Sequence, residues 1–452
     1  MSAAIPEKEV NIAKQHSRVV KRQLSGVYIC FLCLYFALNA HMLRNVSVVY
    51  LVALAGIETL SFIYILRDGI KYLRSWIARW YGIFLLVSFL GALQTIYSYG
   101  IGVGLYACVR FYMVAPLVPL AAIALDNTKK MAFVIKCFIG ITCIGVFSIA
   151  LQYVTGPVSW FAEPGERAGI MRFGSILGSL PTIGGVLPLA VFGALMIKMR
   201  WNIRSLVLLI LFFGVLISLS KGSIAGTALA LVLFLCIPTA NKRQSIAILA
   251  IISLSVLAIV SLASSGTVLN AARTYISALF SAESAGRGGD VTMQESMIDR
   301  WTTLPAESLG SLGHARGDIG LISGGGFQML GTSLMPDGAS PYITSEDTYI
   351  DFVLIAGIPL LIAYVCLLGG TLRRLCSAAG RKYFRESPEV GSCAFGMMLI
   401  LAITGLFSGG LTFQPIGASV WCILTGIGIR IESLGYKGLC LTRINAGCGA
   451  QG

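Results

Sequence analysis

The chain has 452 residues, of which 56% are hydrophobic and only 12% are charged, and its formal net charge is +14. This composition excludes an ordinary soluble domain and a disordered chain. The charged residues fall in short clusters between apolar runs long enough to cross a bilayer, about 20 residues each, which is typical of a polytopic membrane protein. The Lys and Arg clusters fall mainly in alternate loops, as membrane topology predicts. The positive net charge therefore does not indicate a nucleic-acid partner.

The apolar runs predict an all-α membrane protein with about twelve transmembrane helices. Residues 1–263 would hold helices 1–9, residues 264–346 a large polar loop, and residues 347–452 helices 10–12 and a tail. The predicted runs are 24–43, 46–66, 81–99, 103–125, 132–153, 175–197, 205–220, 222–238, 245–263, 348–370, 392–410 and 416–430.

The alternation of loops assigns a side to each segment. Most of the 34 Lys and Arg residues fall on the same side as the N-terminus. Because cytoplasmic loops are rich in Lys and Arg, both termini are expected in the cytoplasm and the long loop outside, in the periplasm of a bacterial inner membrane. Residues 1–23 are polar and resemble a cytoplasmic leader more than a cleaved signal peptide.

In chain order, the first unusual residue is Arg110, which lies inside an apolar run. A charge at membrane depth is expensive and indicates a functional site, unless the side chain snorkels to the headgroups. Arg167 and Arg172 precede the sixth run, where Pro181 and Pro188 predict a broken helix. Such a break marks either a packing kink or a cavity wall.

Lys221 separates two runs that would otherwise merge, in the segment SLSKGSIAG. It either marks a simple hairpin or presents a cation to an anionic lipid diphosphate on the outer side. The guanidinium groups of Arg110, Arg167, Arg172, Arg300 and Arg316 offer planar forks for the same phosphates.

The long loop holds the candidate general bases Asp299, His314, Glu346 and Asp347. Alternatively, Glu346 and Asp347 cap the tenth helix, because acidic groups favour a helix N-terminus. The Gly-rich stretch GHARGDIGLISGGGFQMLG and the segment MPDGASP are predicted to form turns, and SMIDRW a helix. The twelve cysteines and three histidines show no disulfide framework or metal-ligand spacing, so no metal and no cofactor are expected.

Four segments resemble the O-antigen polymerase and O-antigen ligase superfamily of bacterial envelope glycan enzymes. RFGSILGSLPTIGGVLPL resembles its arginine-led entry to a helix, and SLSKGSIAG its Ser-x-Ser-Arg-Gly hairpin. IDRWTTL and LISGGGF resemble its loop arginine-tryptophan and glycine motifs, and SEDTYIDFVLIAGIPLLIAYV its loop-closing motif. Lys221 replaces the hairpin arginine. Glu346 and Asp347 stand where the ligase branch has a His-Asn pair, which favours the polymerase branch.

The resemblance implies a glycosyltransferase that needs no metal. It would transfer a polyprenyl-diphosphate-linked glycan onto another lipid-linked repeat unit at the outer face of the inner membrane. The implied partners are a polyprenyl-diphosphate-linked oligosaccharide, membrane lipid and, as a further candidate, a chain-length regulator. Two alternatives stay open: a ligase that transfers the glycan to lipid A core or to a protein, and a transporter of lipid-linked sugar.

Overall fold

In the computed structural model, the described residues form mainly helices. The structure describes residues 29, 32–34, 47–68, 72, 74–158, 161, 164–167, 170–218, 220–237, 242–247, 249–250, 283–285, 289–291, 302–336, 339–342, 345, 347–406 and 415–448. The predicted runs 24–43 and 245–263 and the predicted helix at SMIDRW lie mostly or wholly outside these residues.

The elements alternate between long apolar helices and short connecting pieces. The first half contains α1 (Ser47–Asp68), α2 (Trp76–Tyr112), α3 (Leu117–Ala124), α4 (Thr128–Thr155), β1 (Gly165–Arg167), β2 (Ile170–Arg172), α5 (Leu180–Met196), α6 (Trp201–Ile217) and α7 (Lys221–Cys236). The second half contains β3 (Glu283–Ala285), β4 (Gly289–Val291), α8 (Leu304–Arg316), 3-10 turns at Gly317–Ile319 and Phe327–Ser333, α9 (Gly320–Ser323), α10 (Thr348–Cys376), α11 (Ala378–Tyr383), α12 (Pro388–Thr404) and α13 (Pro415–Cys448). Each strand pair is a small antiparallel hairpin.

Among the described residues, four helical stretches are long and apolar enough to cross a membrane. They are Trp76–Ala124, Thr128–Thr155, Thr348–Cys376 and Ile416–Leu434. Four shorter apolar helices accompany them: Thr182–Met196, Trp201–Ile217, Gly222–Cys236 and Pro388–Thr404. The expectation of a mostly α-helical membrane protein is confirmed at this level.

The stretch from Trp76 to Ala124 is a hairpin that turns at Gly100. Gly100 has φ +83° inside α2, a conformation that glycine adopts without a steric penalty. The two arms run back along each other: a Cβ added to Gly104 would lie 2.9 Å from Ile96 Cα, and Ser88 Oγ lies 2.8 Å from Tyr112 Oη. The predicted runs 81–99 and 103–125 are therefore the two arms.

The proline-containing sixth run forms an intact helix that packs closely on α7. α5 begins at Leu180 rather than at residue 175, and Pro188 lies inside it. Small residues let the two helices approach each other: Gly226 faces Pro188, and Gly184 faces Ser220. Of the two interpretations of these prolines, close packing fits the observed contacts.

The Gly-rich segment of the predicted polar loop is packed against the helices, where the sequence predicted turns in a loop outside the membrane. α10 is interrupted at Ala356 and Gly357, where φ is −145° and +76°. The interruption frees backbone carbonyls, and the Gly-rich segment pairs with them: Gly325 N donates to Leu354 O at 2.8 Å and Gly326 N to Ile355 O at 3.0 Å. An apolar environment demands such pairing of freed backbone groups. The GHAR part of the stretch lies on α8 and is helical.

A polar cluster around Glu432 connects α2, α10 and α13 at one end of the bundle. The Glu432 side chain is almost fully buried. It accepts hydrogen bonds from Ser75 Oγ at 2.6 Å, from Trp76 N and Ile77 N at 3.2 Å each, and from Arg374 Nη2 at 3.0 Å. One carboxylate therefore caps the start of α2 and ties it to the end of α10.

We expect Glu432→Ala to lower the stability of the folded protein by about 3 kcal/mol, because it leaves buried donors without an acceptor. The measurement is thermal unfolding of the purified protein in detergent. Glu386→Ala is the control, since Glu386 is exposed. Equal unfolding temperatures for the two variants would show that the cluster does not stabilise the bundle.

Candidate functional site

Three helix ends meet at the end of the bundle where α10 begins, which we call the Asp347 end. Thr348 N donates to Gly405 O at 2.8 Å, so α10 begins where α12 ends. A Cβ on Gly226 would lie 3.6 Å from Thr404 Cγ2, so the first turns of α7 border the same point. These contacts place Lys221, the first residue of α7, at the same end as Asp347.

Asp347 is the half-buried N-cap of α10. Its Oδ1 accepts hydrogen bonds from Tyr349 N at 2.8 Å and from Ile350 N at 3.1 Å. Burial raises the pKa of this carboxyl above the usual aspartate range, and the two backbone N–H groups oppose that rise. The capping interpretation is confirmed for Asp347, and a raised pKa also suits proton transfer.

Asp351 is a second carboxylate at this end and is not among the site residues predicted from the sequence. Its side chain is fully buried in the first turn of α10. Its Oδ1 accepts hydrogen bonds from Ser345 Oγ at 2.7 Å and from Ser345 N at 3.1 Å. An ionisable residue inside a predicted apolar run was the criterion that selected Arg110, and the same criterion would have found Asp351.

Arg172 is the last residue of β2. Hydrogen bonds from α4 hold β2 near the Asp347 end of the bundle. Tyr153 Oη lies 3.1 Å from Met171 O and 3.2 Å from Ile217 O, so it joins β2 to the end of α6. Gln152 Nε2 donates to Gly174 O at 2.7 Å. Because α6 ends just before Lys221, these bonds bring the half-buried Arg172 toward the start of α7. Arg167 lies across the hairpin on β1, paired with Ile170.

The start of α7 carries unused hydrogen-bonding capacity. Ser220 caps the helix through a 3.3 Å bond from Ser223 N. Ser223 Oγ and Thr227 Oγ1 are buried and have no hydrogen-bond partner among the described residues. A helix N-terminus and free hydroxyl groups form a combination that accommodates an anion.

Two other predicted site residues lie on α8, and three more lie outside the described residues. His314 and Arg316 are exposed on α8. α8 packs through Leu312 against Gly320 and Gly325, which lie beside the interruption in α10. Asp299, Arg300 and Glu346 lie outside the described residues.

Arg110 lies in a separate cavity between the arms of α2, α10 and α13. It is in the second arm of the hairpin, ten residues after Gly100, or about 15 Å along the helix. Its membership of one diphosphate-binding set with Arg172 and Lys221 stays a prediction.

The fold and this site define the class: a mostly α-helical protein with apolar helices of membrane-spanning length and a polar cluster at one end. No protein-family model matches the chain, and no curated protein matches it significantly. Among the residues that the structure describes, no three His, Cys, Asp or Glu side chains are grouped as a metal site would require.

Proposed function

We propose that the protein is a polymerase of a bacterial surface polysaccharide. It would transfer a polyprenyl-diphosphate-linked glycan onto a second lipid-linked repeat unit. The proposal rests on one observation above all: Arg172 and the first residue of α7, Lys221, lie at the same end of the bundle as the carboxylates Asp347 and Asp351. An enzyme of this kind needs cations for a leaving diphosphate and a carboxylate for an attacking hydroxyl at one place.

The chemistry divides between these two groups of side chains. Asp347 takes the proton of the acceptor sugar hydroxyl as its oxygen forms a bond to the anomeric carbon of the donor glycan. The bond between that carbon and the diphosphate oxygen breaks, and polyprenyl diphosphate leaves with the electron pair. Lys221 and Arg172 stabilise the charge that develops on the leaving diphosphate. The proton then passes from Asp347 to water.

The topology belongs to the same proposal. About twelve helices would span the inner membrane. The Asp347 end would face outward, and the Glu432 end the cytoplasm, because Arg373, Arg374, Arg381, Lys382 and Arg385 lie at the end of α10 and in the segment after it. This orientation presents the cluster to lipid-linked glycans in the outer leaflet.

A deletion strain tests the function through its lipid-linked products. The polymerase predicts single repeat units that accumulate on polyprenyl diphosphate in the outer leaflet. Long chains that remain on polyprenyl diphosphate would instead indicate the ligase. Accumulation in the inner leaflet would indicate a transporter, and unchanged products would exclude all three functions.

We expect Arg172→Ala and Lys221→Ala to lower the rate of chain elongation by at least about 100-fold each, because each removes a charge that stabilises the departing diphosphate. The measurement is glycan chain length and rate in the complemented deletion strain. Lys221→Arg keeps the charge and should retain activity. Lys129→Ala, an exposed lysine at the Glu432 end, is the control. Wild-type chain length in both alanine variants would refute the site.

The transporter is the second candidate, and the Arg110 cavity favours it. Transporters place a charged group in a cavity within the membrane, beside interrupted helices. Here the helix of Arg110 is interrupted after Tyr112, and α10 at Gly357. A transporter would depend on Arg110 for movement between leaflets and would tolerate Asp347→Asn, which the polymerase would not.

A further inference from the structure

Three large aliphatic side chains are exposed in the part of the chain that the sequence predicted as a polar loop outside the membrane. The exposed fractions are 69% for Ile319, 47% for Leu321 and 66% for Ile322. These residues lie at the end of the 3-10 turn Gly317–Ile319 and in α9. Large apolar side chains grouped on a surface mark a place of contact with a membrane, a ligand or another protein.

The backbone of the same stretch lies against two long helices. A Cβ added to Gly357, at the interruption of α10, would overlap Ile322 O and would lie 2.9 Å from Leu321 O. Gln94 Nε2, on the first arm of α2, donates a hydrogen bond to Ser323 O at 3.1 Å. The stretch is therefore fixed on α2 and α10 by its backbone, and its aliphatic side chains point away from them.

The position of these contacts along the helices gives the depth of the stretch. Arg79 on α2 and Arg373 on α10 are the nearest charged residues toward the Glu432 end, and no charged residue lies between them and the contacts. Gln94 and Gly357 lie about 22 and 24 Å from those arginines along the helices, at 1.5 Å per residue. The hydrocarbon core of a bilayer is about 30 Å thick. Both contacts therefore fall within its thickness.

The helix surfaces on either side of the stretch are also apolar and exposed. Leu93 is exposed on α2 next to Gln94, and Ile358 is exposed on α10 next to Gly357. Both helices belong to stretches that are long and apolar enough to cross a membrane. Hydrocarbon that covers these two helices also reaches the three aliphatic side chains between them.

The exposed side chains change character where α8 ends. α8 carries the exposed polar side chains Glu307, His314 and Arg316. Gly317, with φ +62°, ends the helix and redirects the chain, and exposed aliphatic residues begin at Ile319. A long cationic side chain such as that of Arg316 favours the level of the head groups. The change indicates a boundary between water and lipid after Arg316.

We infer that residues 319–322 are inserted into the leaflet at the Asp347 end, where Ile319, Leu321 and Ile322 contact lipid acyl chains. α8 then lies at the head groups, and the Gly-rich segment re-enters the bilayer beside α2 and α10. Irregular backbone at this depth is tolerated because its hydrogen bonds to α10 satisfy it. The inference rests on the membrane location of the bundle and not on the proposed polymerase activity.

Photo-crosslinking in a bilayer tests the insertion. The full-length protein carries p-benzoylphenylalanine in place of Ile319 or Ile322 and is irradiated in nanodiscs of phosphatidylethanolamine and phosphatidylglycerol. Both positions should form phospholipid adducts, detected by mass spectrometry. The same probe in place of Ile362, exposed on α10, is the positive control, and in place of Glu307, exposed on α8, the negative one.

A pair of matched substitutions gives a second measurement. Ile322→Asp should lower the unfolding temperature in the same nanodiscs, because the carboxylate would have to enter hydrocarbon. Ala306→Asp places the same group on the exposed side of the first turn of α8 and should match wild type.

Three results would overturn the inference. Lipid adducts at position 362 with none at 319 and 322 would show that the stretch faces water. Crosslinked pairs of this chain in place of lipid adducts would assign the surface to contact between copies. If the crosslinking variants fail gel filtration, equal unfolding temperatures for Ile322→Asp and Ala306→Asp would still refute insertion.

Discussion

Asp347→Asn is expected to leave the protein folded and to reduce glycan transfer by at least about 100-fold, the contribution of a general base. Asparagine caps helices as well as aspartate does, because its side-chain oxygen can accept the same bonds from Tyr349 N and Ile350 N. It cannot take a proton from a sugar hydroxyl. The substitution thereby separates the capping role, which the structure shows, from the catalytic role that we propose.

The measurement is polymer formed by the purified variant from lipid-linked repeat units, with gel filtration as the test of folding. Asp347→Ser is a second test variant, because serine also caps a helix and carries no carboxylate. Wild-type activity in either variant would leave Asp347 with a capping role alone. In that case Asp351, the buried carboxylate one turn along α10, becomes the next residue to test.

The pH dependence of transfer should report the same carboxyl group. Burial raises the pKa of Asp347, and the base is active only when ionised. Activity should therefore be present at high pH and be lost as pH falls through a value above the ordinary aspartate pKa of about 4. An acidic limb at or below that ordinary value would argue against Asp347 as the base.

Gly357→Ala is expected to destabilise the protein by about 4 kcal/mol, a large effect for one methyl group. Gly357 has φ +76°, and a Cβ there would overlap the carbonyl oxygen of Ile322. The clash would push the Gly-rich segment away from α10. It would thereby break the bonds from Gly325 N to Leu354 O and from Gly326 N to Ile355 O.

Thermal unfolding in detergent measures this effect, and the chain offers two matched controls. Gly369 lies in the same helix with nothing within 4 Å of an added Cβ, so Gly369→Ala should be neutral or slightly stabilising. Gly100→Ala meets no neighbouring atom but has φ +83°, so it reports backbone strain alone, about 1 kcal/mol. If Gly357→Ala unfolds no earlier than Gly100→Ala, the packed segment contributes no stability.

Particular helices show how far hydropathy alone predicts the fold. The pattern located α1, both arms of α2, α4, α6 and α7 to within a few residues. It also located α5, but it did not predict the interruption of α10, although Gly357 and Pro359 were visible in that run. Whether an apolar run forms a membrane helix depends on the residues of that run. An interruption inside the helix is tolerated only where another segment pairs with the freed carbonyls.

The candidate site also depends partly on the sequence and partly on the fold. Lys221, Arg172 and Asp347 were selected because charges at the ends of apolar runs are conspicuous, and the structure brings them to one end. Arg110 is conspicuous for the same reason, and it lines a cavity between α2, α10 and α13. Residue type and position along the chain indicate that a charge has a role, but the fold determines which charges share a site.

Sequence by itself determined that this is a helical protein of the membrane and where most of its helices lie, because transfer of apolar residues into lipid is a property of each run. Only the tertiary structure decided that the Gly-rich segment is buried against α10 and that Arg110 shares a cavity with Trp421. Those facts depend on backbone pairing and side-chain packing between segments far apart in the chain, and no local pattern records them.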